Sequence, residues 1–185
     1  MQKLFKLRSI ILNFTTMKEV FSIITMGVIC IAFVASTALA QSPAATAENT
    51  VDGAKVTIKY HSPSVKGRTI WGGLEPYDKV WRTGANNATT IEVSEDMKIG
   101  KNKMPKGRYA LFTIPKKGDK WTVIINKEAD QWGAYNYKES EDLFRFEVDI
   151  ERTLEINEAL KFDVSDDGTV MFAWEYKSFK FKLDK

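Results

Sequence analysis

Tyr109-Ala110-Leu111-Phe112-Thr113-Ile114-Pro115, then Gly118-Asp119, then Lys120-Trp121-Thr122-Val123-Ile124-Ile125-Asn126, reads as two strands and the turn between them. In the second run Trp121, Val123 and Ile125 share one face of a period-two ribbon, the pattern of a half-buried strand. The first run is apolar on both faces, which places it in the middle of a sheet. Pro115, with no N–H for the ladder, closes it. Gly118-Asp119 supplies residues that tolerate the positive φ of a tight hairpin.

The same period runs outward in both directions. Val56, Ile58 and Tyr60 alternate with Lys55, Thr57 and Lys59; Ile91 and Val93 follow; Phe144, Phe146, Val148 and Ile150 alternate with Arg145, Glu147 and Asp149. Leu160, Phe162 and Val164 precede a second hairpin signal, Asp167-Gly168. Beyond it Phe172, Trp174 and Tyr176 keep one phase while Phe179, Phe181 and Leu183 keep the other, so a bulge or turn is expected near Lys177-Ser178. No stretch has a helical period except a single turn around Ser140–Leu143. Eight to ten short strands at this spacing predict one all-β domain, a β-sandwich or a Greek-key-like barrel.

The first forty residues have a different character. From Met17 a charged start at Lys18 leads into an apolar run, Val20 to Val34, and then Ser36-Thr37-Ala38-Leu39-Ala40, a small-residue cleavage site. Residues 1–40 are read as a signal peptide that is removed, with Met17 as an alternative start. Residues 41–50, rich in Ala, Ser, Pro and Thr, are read as a flexible tether, and 51–185 as the domain. The leader holds four basic residues and one acidic residue of the 27 and 24 in the chain, so the mature part carries 23 of each. That neutrality argues against a nucleic-acid binder, which would show a basic excess. The only cysteine, Cys30, lies in the leader, so the mature chain has no disulfide, thiol nucleophile or thiolate ligand. Export to the periplasm or beyond the cell is expected, with no membrane-spanning segment in the mature chain.

Chemistry-bearing residues concentrate between Ser62 and Thr90, where alternation is weak. Arg68 and Arg82 offer planar forks that suit carboxylate or phosphate, and Trp81 offers a flat face for a sugar ring or a cation. Each has a plainer reading: Arg82 as a sheet arginine paired with a carboxylate, Asn86-Asn87 as a turn, Gly72-Gly73 as a turn or bulge. A second aromatic stretch, Trp132-Gly133-Ala134-Tyr135-Asn136-Tyr137, is either a ligand platform or a lid over the end of the sandwich. His61 is the sole histidine; no G-x-S-x-G motif accompanies it, and one imidazole without thiols makes neither a triad nor a metal site legible. No cofactor, catalytic residue or metal ligand is assigned.

Four blocks then carry a resemblance. They are Ser62-Pro63-Ser64-Val65-Lys66-Gly67-Arg68; the stretch from Gly72-Gly73-Leu74 through Lys79-Val80-Trp81-Arg82-Thr83-Gly84-Ala85-Asn86 to Thr89; Gly107 to Pro115; and Trp121 to Asn126 followed by Gln131 to Tyr135. Together they resemble the bacterial exported proteins grouped as domain of unknown function 2911 (DUF2911), over most of Lys55 to Trp174. The resemblance implies export and a compact β-rich domain. It also implies that Arg68, Trp81, Arg82, Asn86, Thr89, Trp132 and Tyr135 belong to the family motif, and it implies no activity.

The expectation for function is a non-enzymatic exported module. It would use those seven residues to bind a small polar, anionic or glycan-like ligand, or a cell-envelope partner. The alternatives are a carboxylate-type hydrolase of envelope polysaccharide, with an acid pair that spacing does not reveal, and a purely structural envelope module.

Overall fold

The structure, a computed structural model, describes residues 41–185. The expected leader, residues 1–40, lies outside them. The described residues form ten strands: β1 (Ala44–Val51), β2 (Ala54–His61), β3 (Thr89–Val93), β4 (Met97–Ile99), β5 (Asn102–Met104), β6 (Gly107–Ile114), β7 (Lys120–Asn126), β8 (Asp142–Asp149), β9 (Glu151–Val164) and β10 (Thr169–Asp184). One 3-10 turn, Glu139–Glu141, stands where the sequence suggests a single helical turn. The strands make two antiparallel sheets, ordered β1-β2-β3-β6-β7-β8 and β5-β4-β10-β9. They do not close into a barrel; the fold is a β-sandwich.

Alternation puts one face of each sheet into a shared core. Val56, Ile58 and Tyr60 of β2, Ile91 and Val93 of β3, and Trp121, Val123 and Ile125 of β7 meet Leu160, Phe162, Phe172, Trp174, Phe179 and Leu183 from the other sheet. Aromatic pairs join the layers edge to face, Tyr60 on Phe162 at 5.2 Å and Phe146 on Phe181 at 5.3 Å between ring centroids. Each large side chain buried this way contributes roughly 1.5–3 kcal/mol of transfer free energy.

Residues 41–50 are not a tether. Ala44 to Val51 pair with β2 along their whole length, Ala44 opposite His61 and Val51 opposite Ala54. Ala47 and Val51 are buried. The turn between the strands is Asp52-Gly53, both at positive φ (47° and 82°), the backbone a tight hairpin needs. An edge strand needs little apolar surface when its partner supplies the ladder, so a run of Ala and Thr suffices. The compact unit accordingly begins at Ser42 and runs to Lys185.

The phase change in β10 also falls earlier than expected. Its pairing with β9 slips between Ala173 and Glu175 and again between Glu175 and Lys177. Glu175 sits at φ 55°, held by its own carboxylate, which accepts the Tyr176 N–H at 2.7 Å and the Trp71 indole N–H at 3.0 Å. The slips let Phe172 and Trp174 face inward before the bulge and Phe179, Phe181 and Leu183 after it.

Two strands are also covered on the side facing away from the second sheet. Ala110 and Phe112 of β6 and Ile124 of β7 are buried there with Ala88, under Ala134 and Tyr137 of the segment between β7 and β8. The Tyr137 ring meets Phe112 edge-on at 5.2 Å.

Candidate functional site

The long segment between β2 and β3 inserts two indoles into the sandwich. Trp71 and Trp81 pack with Trp121 and Trp174, Trp71 lying 4.6 Å from Trp121 and Trp81 stacked on Trp174 at 5.7 Å. Trp81 is 4% exposed and its N–H donates to the Gly84 carbonyl at 3.2 Å. Thr89 is fully buried and its hydroxyl donates to the Thr83 carbonyl at 2.9 Å. Both side chains therefore have internal partners and no open face. Arg68 is exposed and folds over its own turn, its guanidinium donating to the carbonyls of Ser64 and Val65.

Glu75, which sequence reading passed over, sits among these residues. Burial raises its carboxyl from 4.5 to about 7, against the opposing pull of Arg82, the Trp81 indole N–H and Arg68. The Arg82 Nε is buried with no hydrogen-bond partner.

The remaining motif residues lie at the other end of the same loop. Asn86 adopts φ 57°, and its carbonyl accepts the Gly133 N–H at 3.0 Å. Ala88 N–H donates to the Gln131 carbonyl at 2.9 Å, so Asn87 and Trp132 face each other across a short antiparallel bridge. Gly133 itself stands at φ 67°. A Cβ there would lie 3.0 Å from the Tyr135 ring and 3.3 Å from Arg82 Nη1, so only glycine lets the aromatic loop cross the arginine this closely. Asn126, fully buried, anchors the start of the loop by donating to Lys138 O at 3.0 Å and to Asp142 at 2.8 Å.

Between this loop and the β1–β2 hairpin the outer face of the larger sheet is open, and a groove of about 500 Å³ lies there. Its floor follows from strand register, since Thr46, Lys59 and Thr90 stand opposite one another in a row across β1, β2 and β3. Lys59, His61 and Arg108 line it from the sheet, Asn87, Gln131 and Trp132 from the loops. Trp132 is 56% exposed, and Gln131, itself buried, has a side-chain oxygen without a partner. Arg108 pairs with Asp130 at the rim. Among the described residues no carboxylate lies within 4.0 Å of Lys59, leaving one uncompensated positive charge.

Of the seven residues marked from sequence, Trp132 lines this groove and Asn86 precedes a residue that does. Arg82 touches the loop from beneath. Tyr135, 81% exposed, covers Gly133. Arg68, Trp81 and Thr89 are elsewhere. Lys59, His61 and Arg108 went unmarked because outward polar positions on alternating strands look alike in sequence.

The chain belongs to the family described as Protein of unknown function (DUF2911), whose family model matches residues 42–183. The DUF2911 match thus takes in β1, which the quoted motif blocks leave out, and it spans both sheets and the loops around the groove. No curated protein and no solved structure matches the chain. Among the described residues no group of three or more His, Cys, Asp or Glu could hold a metal ion, and no helix is long and apolar enough to cross a membrane.

Proposed function

We propose that this DUF2911 protein is an exported, non-enzymatic binding module that takes a small saccharide-like ligand bearing an acidic group in the groove beside Trp132. The observation that carries the reading is an exposed indole held by a backbone bridge at the edge of a polar groove that contains the unpaired Lys59. A flat aromatic face suits the apolar face of a sugar ring. Lys59 and the amide of Asn87 are donors for hydroxyl and carboxylate oxygens. Because the loop is pinned at Asn86, Ala88 and Asn126, little ordering entropy is lost on binding.

The test is a fluorescence titration with uronate-containing and neutral oligosaccharides. Trp81, Trp121 and Trp174 are buried and Trp71 is only partly exposed, so iodide quenching reports chiefly on Trp132. Acidic oligosaccharides should protect that signal, and Lys59→Gln should weaken binding about tenfold with the unfolding midpoint unchanged, as for one charge-assisted hydrogen bond. If acidic and neutral sugars both leave quenching untouched, or if Lys59→Gln and Trp132→Ala bind like the parent, the reading fails.

A further inference from the structure

A second cavity, of about 670 Å³, lies where the β6–β7 turn, the β8–β9 turn and the β10 bulge meet. We propose that it is an oxyanion-binding site built from Lys117, Arg152 and Lys177, separate from the Trp132 groove. The first reason is register. Arg152 and Lys177 stand directly opposite each other across β9 and β10, and like charges in that relation repel.

The second reason is the state of the neighbouring carboxylates. Glu151, Glu175 and Asp119 also line the cavity, which makes it formally neutral. Two of the three are already engaged: Glu151 with Lys180 at 3.5 Å, Glu175 with the Trp71 indole and the Tyr176 N–H. Among the described residues no carboxylate comes within 4.0 Å of Lys117, Arg152 or Lys177, and Asp119 alone remains as a competing acid.

The third reason is how the cations are seated. The Arg152 guanidinium lies over the Tyr176 ring at 5.3 Å and the Lys177 ammonium over the Trp121 ring at 5.8 Å. A guanidinium held by its face keeps its N–H donors at the edges, ready for a planar or tetrahedral oxyanion. The seat depends on the bulge at Glu175, whose left-handed backbone and own hydrogen bonds set the direction of Tyr176 and Lys177. Bulges and strained residues of this sort are found where side chains are re-aimed for a ligand. The common chemistry is a multiply charged oxyanion, either a phosphate or sulfate ester or a polycarboxylate.

The experiment is an amide-resolved NMR titration of the folded protein with inorganic pyrophosphate, sulfate and citrate, paired with thermal unfolding of the parent, Arg152→Gln and Lys177→Gln. At least one anion should shift the amides of Gly118, Arg152, Tyr176 and Lys177 saturably below about 10 mM, leaving those of Asn87 and Trp132 in place. The anion that binds tells the ester from the polycarboxylate. Each substitution should weaken that binding about tenfold or more. Saturating anion should raise the midpoint of the parent more than that of either variant. The proposal is overturned if none of the three anions gives saturable shifts at these amides, or if both variants bind as tightly as the parent. The parent titration decides the matter even where a variant fails to fold.

Discussion

Replacing Glu75 with Gln should remove a pH dependence from the stability of the fold. Glu75 is tied into the turn after Ile70, its N–H donating to the Ile70 carbonyl at 2.9 Å, and its carboxyl is raised from 4.5 to about 7 by burial despite Arg82, the Trp81 N–H and Arg68 nearby. Between pH 4.5 and 7 the folded chain keeps a proton that the unfolded chain has lost. Stability therefore falls as pH rises through that window and is flat on either side of it. A separation of roughly 2.5 pH units at about 1.4 kcal/mol each sets a ceiling of about 3.5 kcal/mol. Glu75 is only partly shielded from water, so about 2 kcal/mol is the expected size. Gln keeps the shape and cannot ionise. Urea unfolding of the parent and of Glu75→Gln should coincide near pH 4.5 and diverge by about 2 kcal/mol at pH 8 in favour of the variant, or about 4–8 °C in Tm for a domain of this size. Parallel curves from pH 4.5 to 8, or a variant less stable at pH 8, would refute the assignment of burial as the dominant influence.

Three further outcomes follow from the packing. Gly168→Ala should cost at least about 2 kcal/mol in urea unfolding, since Gly168 has φ 84° and a Cβ there would lie 2.1 Å from the Leu183 carbonyl oxygen. Trp174→Phe should cost less than Trp121→Phe by about 1 kcal/mol, because the Trp174 N–H is buried without a partner while that of Trp121 donates to the Lys116 carbonyl; equal losses would contradict this. Removal of residues 42–51 should lower stability by roughly 1.5–3 kcal/mol for Val51 alone, measured by thermal unfolding, whereas removal of a tether would change nothing.

Strand content was legible wherever one face is buried, because burial imposes the period that Val56-Ile58-Tyr60 and Trp121-Val123-Ile125 carry. β1 escaped because Ala44 to Thr50 carry no large side chain. Its signal was the Asp52-Gly53 turn, a hairpin pair as clear as Asp167-Gly168. The position of the β10 bulge was readable only to within a few residues, since Tyr176 continues the phase of Phe172 and Trp174 past the slip at Glu175. The groove was not legible, for a different reason. It exists because residues 128–138 fold across β6 and β7 and stop short of β2, which is a tertiary fact with no local period. One trace of it was present: Ala110, Phe112 and Ile124 are apolar on the face turned away from the second sheet, so something had to cover them. The covering loop brings Trp132 to the groove, while Trp81, equally prominent in the sequence, is taken up by the tryptophan cluster.

The place of β10 has a consequence for assembly. The last long strand of the chain lies between β4 and β9 in the middle of its sheet, and it contributes Phe172, Trp174, Phe179 and Leu183 to the common interior. A polypeptide emerging from its N-terminus can form the β1–β2, β4–β5 and β6–β7 hairpins early, but until β10 is in place nothing joins β4–β5 to β9. Closure of the sandwich therefore waits on β10, whose non-local pairings with β4 and β9 tie the second sheet together.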